Sequence, residues 1–173
     1  MVSYTFDIVS EGRRESDEGG FTLFYYLLAA AGIIALDQVT KLLVVKYMAL
    51  GESIPLIQDV FHLTSHRNMG AAFGILQNQR WLFIVITTVV VIGILVSLIR
   101  IGRKQPRVSM ALTLVLGGAI GNFIDRIMTG QVVDFLDFTL INFPIFNVAD
   151  MAITIGVAIL LLDMALEGKK KTA

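Results

Sequence analysis

Asp134, in the run VVDF, and Asp150, in FNVAD, stand sixteen residues apart at one end of what reads as an apolar span. An ionisable group beside or within a lipid-facing helix is costly, which marks it as a candidate functional site. Two carboxylates brought together by a fold are also the least equipment for acid–base hydrolysis, one taking a proton from water while the other gives one up. The plainer reading is a loop carboxylate near water and a second favoured by the positive end of a helix. Residue chemistry alone leaves both readings open.

The elements that must position this pair are membrane spans. The chain has 173 residues, 55% of them hydrophobic and 16% charged, with a mean hydropathy of +0.76. A soluble domain carries about a quarter charged residues, and here the apolar residues form long runs. Four stretches, about 21–47, 81–101, 108–128 and 148–166, reach the roughly 20 residues needed to cross a bilayer. The expected architecture is an α-helical membrane protein with four transmembrane helices and a small extracytoplasmic β-sheet. Residues 1–20 are polar and acid-rich, and are expected to form a disordered cytoplasmic tail. They lack the cationic start and short apolar core of a cleavable signal peptide, so the first span is expected to remain as an anchor. Residues 21–168 then form one membrane domain with outer-face loops at 48–80 and 129–147, followed by a basic tail at 169–173. With no cysteine and a formal net charge of zero, the chain offers neither thiolate chemistry nor a basic surface for nucleic acid.

Charge gives the orientation. Arg100, Arg103, Lys104 and Arg107 crowd the short link between spans two and three, and Lys169, Lys170 and Lys171 follow span four. The positive-inside bias puts that link and both termini in the cytoplasm. Asp37, Asn122, Asp125, Arg126, Asn147 and Asp150 then all gather towards the outer surface, with Asp134 just beyond it. Asp163 is the exception. Segments 53–68 and 131–146 alternate apolar and polar residues, which predicts strands that pair on the outer face. The small apolar run 69–76 between them could dip into the interface.

The remaining polar residues admit two readings each. Asp37 and Lys41 are four apart and share a helix face, as an ion pair or as part of a site. GGAIGNFIDR (117–126) ends span three with small residues that permit close helix packing. Within it, Asn122 and Arg126 can enter one cavity, while Asp125 and Arg126 point apart. Asn68 can cap a turn or bind an extended peptide. His62 and His66 show an H-x-x-x-H spacing, but Leu63 stands where a zinc-protease helix would carry Glu, and the segment reads as strand. No metal is expected, and a Ser65–Lys41 dyad lacks a motif.

DQVTK, NMGAAFG (68–74), GNFIDR, VVDF and FNVAD occur in that order across about residues 22–167. Together they resemble the ordered motifs of bacterial lipoprotein signal peptidase, also called signal peptidase II. The resemblance implies an intramembrane aspartyl protease of the bacterial inner membrane, needing no cofactor. It would cleave prolipoproteins just before a diacylglyceryl-modified cysteine and bind globomycin-type inhibitors in the same site. By motif, Asp134 and Asp150 become the catalytic pair. Asn68, Gly70, Asn122, Arg126, Asn147 and Ala149 become supporting or substrate-binding residues, and Asp37, Lys41 and Asp125 structural polar ones. Rival readings are a transporter with an aspartate relay and a non-catalytic membrane subunit. Relays usually string polar groups across the membrane, whereas these gather at one side.

Overall fold

The computed structural model describes the backbone of residues 2–70, 75–141 and 143–172, and the side chains of 20, 22–70, 75–141 and 143–168. Helix α1 (Val2–Tyr47) leads into strands β1 (Ser53–Ile57) and β2 (Phe61–Asn68). Helices α2 (Arg80–Ile101) and α3 (Pro106–Met128) follow, then β3 (Val132–Asp137), a short 3-10 turn at Thr139–Ile141 and α4 (Val148–Thr172). Among the described residues, four helical segments are long and apolar enough to cross a membrane: Thr22–Tyr47, Arg80–Ile101, Pro106–Met128 and Val148–Gly168. Leu42, Ile99, Leu161 and many like them stand exposed along these segments, a surface suited to lipid. Pro106 opens α3, where its fixed φ suits the first turn and its missing N–H costs nothing.

In backbone, α1 runs unbroken from Val2 through the first span to Tyr47. No proline interrupts it, and a helix already nucleated by the span extends at one hydrogen bond per added residue. The dip expected of 69–76 falls largely on residues 71–74, which lie outside the described residues.

Helix α3 is the hub of the bundle and packs on the other three. Half of its span is buried by protein, against 11–22% for the others. Small residues make this possible. A Cβ on Gly117 would strike Ile33 of α1, and one on Gly118 would strike the Ala149 carbonyl of α4. At Gly121 it would come within 2.6 Å of Asp37 Oδ2. Without a hydrophobic drive between helices in lipid, such close backbone approach is what holds spans together.

The three strands form an antiparallel sheet in the order β1-β2-β3 at one end of the bundle, with Pro55 tolerated because β1 is an edge. In the β2–β3 register Asn68 faces Val132 and His66 faces Asp134. Asn68 and Asp134 are therefore diagonal neighbours on one face, within reach of each other. At the opposite end Tyr26, Ala30, Ile94, Leu98 and Leu116 form an apolar core. There the Tyr26 hydroxyl donates to the Gly102 carbonyl at 3.0 Å and ties α1 to the α2–α3 link.

Candidate active site

Asp134 sits in β3 with only 1% of its surface exposed. The diagonal register lets Asn68 Nδ2 donate to Asp134 Oδ2 at 3.0 Å, while Asn147 Nδ2 donates to Oδ1 at 2.7 Å. Burial pushes this carboxyl up from 3.8 to about 7, and the negative charge of Asp150 adds to the rise. The two amide donors and the charge of Lys41 oppose it without cancelling it.

Asp150 owes its place to the start of α4. Asn147 Oδ1 accepts from the Asp150 N–H at 3.0 Å, and Asp150 Oδ2 accepts from the Asn147 N–H at 3.1 Å. This is a reciprocal capping box with Asn and Asp in place of the usual Ser or Thr and Glu. Asp150 Oδ1 is left facing Asn122 Nδ2 at 2.8 Å. Asn147 thus touches both aspartates, one through its side chain and the other through its backbone. Its amide nitrogen also lies 3.2 Å from Asn122 Oδ1 and 3.3 Å from the Val133 carbonyl. With two hydrogens for three acceptors, the bond to Asp134, the shortest of the three, takes precedence.

Beneath this layer Lys41 is 2% exposed and Asp37 fully buried. Lys41 Nζ lies 2.8 Å from Asp37 Oδ2, 2.9 Å from Asp125 Oδ2 and 2.9 Å from Asn122 Oδ1. Three N–H groups meet three acceptors, as a buried ammonium requires. Asp37 Oδ1 accepts from the Ala149 N–H at 2.9 Å, so α1 holds the first turn of α4. Asp125 Oδ2 accepts from the Val133 N–H at 3.2 Å, so α3 holds the sheet.

A cavity of about 610 Å³ opens above the pair. Asn68, Gly70, Asn122, Arg126, Asp134 and Asp150 give it a polar end, and Phe83, Thr87, Ala119, Met151 and Ile155 an apolar flank between α2 and α4. Arg126 Nη2 donates to the Gly70 carbonyl at 3.1 Å, and its guanidinium lies 4.6 Å from the Phe83 ring centroid. Gly70 donates its N–H to Asn68 Oδ1 at 2.9 Å. A Cβ there would fall 2.5 Å from the Ile75 carbonyl, so no other residue fits.

The expected site residues therefore converge. Asn68 both caps the turn and holds Asp134, where the sequence reading offered a turn or a peptide. Lys41 is committed to its carboxylates and Asn122, away from Ser65, whose oxygen lies 3.4 Å from Arg67 Nη1. His62 Nδ1 pairs with Ser53 Oγ at 3.1 Å on the sheet. Among the described residues no three His, Cys, Asp or Glu side chains gather as a metal set. Gln38 was missed. Its amide nitrogen lies 2.9 Å from Asp125 Oδ1, 3.1 Å from the Gly121 carbonyl and 3.2 Å from Asp37 Oδ2. The available signal was its place inside DQVTK.

The family described as signal peptidase (SPase) II matches residues 29–166. A lipoprotein signal peptidase of Brevibacillus brevis is 80% identical over 148 residues, covering 86% of this chain and 99% of that one. Another, of Halalkalibacterium halodurans, is 56% identical over 151 residues, covering 86% and 96%. A bacterial membrane enzyme solved by the in meso method at 2.3 Å superposes with a TM-score of 0.78 at 37% identity, over 85% of this chain and 91% of that one. Fold and relatives together make this a polytopic membrane peptidase. More narrowly, the chain belongs to the signal peptidase II family.

Proposed function

We propose that the chain is an aspartyl endopeptidase that removes signal peptides from bacterial prolipoproteins, cutting just before a diacylglyceryl-modified cysteine. The observation that carries this reading is the joint hold of Asn147 on Asp134 and Asp150 at the polar end of one cavity. Asp134, raised to about 7, is still half-protonated near neutrality and serves as the acid. Asp150, held by two N–H donors, serves as the base.

Asp150 takes a proton from a water whose oxygen attacks the scissile carbonyl carbon, while Asp134 gives its proton to the carbonyl oxygen. In the collapse of the resulting diol, Asp150 returns its proton to the departing amine, the C–N bond breaks, and Asp134 recovers a proton from a diol hydroxyl. The apparent pKa values belong to the pair. The apolar flank between α2 and α4 suits a signal helix and acyl chains arriving sideways from the bilayer. The clustered cations of the α2–α3 link favour cytoplasmic termini and a site near the outer face of the inner membrane. Globomycin-type inhibitors are expected to compete for this cavity.

The test is cleavage of a lipidated prolipoprotein by purified Asp134→Asn and Asp150→Asn. Each variant should insert and fold like the parent, yet lose activity by on the order of 10³-fold or more, since both proton transfers fail. Full cleavage by either would overturn the reading, and equal cleavage of unlipidated substrate would remove its lipid requirement.

A further inference from the structure

We infer that Lys41 is a positioning residue for the reaction, acting through the Asn122 amide, which it locks with the nitrogen towards Asp150. This rests on Asp150 being one of the working pair. An asparagine amide can turn over with almost no change of shape, exchanging donor for acceptor. In this chain only one orientation is tolerable. Asn122 Oδ1 lies 2.9 Å from the Lys41 ammonium and 3.2 Å from Asn147 Nδ2, while Nδ2 lies 2.8 Å from Asp150 Oδ1. Turned over, the Asn122 amine would face an ammonium and a second amine, and its oxygen would face a carboxylate. With Asn122 only 6% exposed, water does not relieve these clashes.

An ion pair four residues apart would satisfy Asp37 and Lys41 without Asn122. Lys41 instead directs its third N–H out of the carboxylate cluster and onto the residue that touches Asp150. Removing that donor lifts the strongest penalty on the wrong orientation, in which Asp150 loses a donor and meets an acceptor.

Replacing Lys41 alone would leave Asp37 and Asp125 buried without their cation, which confounds lost folding with lost positioning. Two double variants avoid this: Lys41→Gln with Asp37→Asn, and Lys41→Met with Asp37→Asn. Both keep the cluster's formal charge at the parent's −1, because one cation and one anion leave together. The glutamine amide can still donate to Asn122 Oδ1 and Asp125, whereas methionine cannot. Turnover of a lipidated prolipoprotein should stay within about tenfold of the parent for the glutamine variant. It should fall on the order of 10²-fold in kcat for the methionine variant, with KM within about twofold, at matched melting temperatures. Equal kcat values for the two would overturn the positioning role. Activity in Asp150→Asn, measured alongside, would instead mean that the underlying pair is wrong.

Discussion

The two ends of this bundle are built on opposite principles. At the sheet end Asp37, Lys41, Asn122, Asp125, Asp134 and Asn147 are all buried, and each has hydrogen-bond or ion-pair partners at stated atoms. At the link end Tyr26, Ala30, Ile94, Leu98 and Leu116 pack by shape, with the Tyr26 hydroxyl as the polar anchor. Apolar packing tolerates small adjustments of direction. A buried hydrogen-bond network does not, because each group that loses its partner bears its full desolvation cost. The contrast teaches why the small residues of α3 lie where they do. Gly118 and Gly121 bring α4 and α1 close enough for Asp37 to reach the Ala149 N–H, which seats the first turn of α4 and Asp150 with it.

Single truncations at the two ends should separate these principles. Asp37→Ala removes one anion from a buried cluster and unpairs the Ala149 N–H, so it should cost about 3–5 kcal/mol. Activity per folded molecule should fall too, because Asp150 sits one residue beyond the anchor. Leu98, 1% exposed, lies far from the cavity. Leu98→Ala should cost about 2 kcal/mol, the low end for such truncations, since lipid replaces water in the reference state. Its activity per folded molecule should match the parent. Thermal unfolding in detergent with parallel cleavage assays reads both quantities, and a Leu98→Ala variant dead at full stability would erase the distinction between the ends.

The link end was the more legible of the two in sequence, because long apolar runs and clustered cations follow from bilayer thickness and charge alone. The strands were legible too, through their alternation. At the sheet end, Asp134 and Asp150 stood out by their cost and by the motifs around them. The connections between them did not. Lys41 and Asn122 are 81 residues apart, and Ala149 and Asp37 are 112 apart. No local periodicity encodes such meetings, nor which atom of an amide faces which carboxylate. Gln38 escaped notice because its three acceptors come from two helices.

The last contrast concerns protons, and only the sheet end should respond to them. Asp134 is raised from 3.8 to about 7, mainly by burial. A carboxyl whose pKa is higher folded than unfolded binds more protons in the folded state between those values. Its contribution to stability is therefore full below about 4, falls as pH rises towards about 7, and is flat above. Melting temperatures of the parent and of Leu98→Ala should both decline across that window by a few degrees. Asp134→Asn, which carries no proton to lose, should lack this component of the decline. Catalysis should follow the same group: as the acid, Asp134 is half-deprotonated near pH 7, and cleavage should drop by about tenfold for each further unit. An alkaline limb far from 7, together with an unchanged melting slope in Asp134→Asn, would show that Asp134 is ionised throughout, and the acid's role would pass to Asp150.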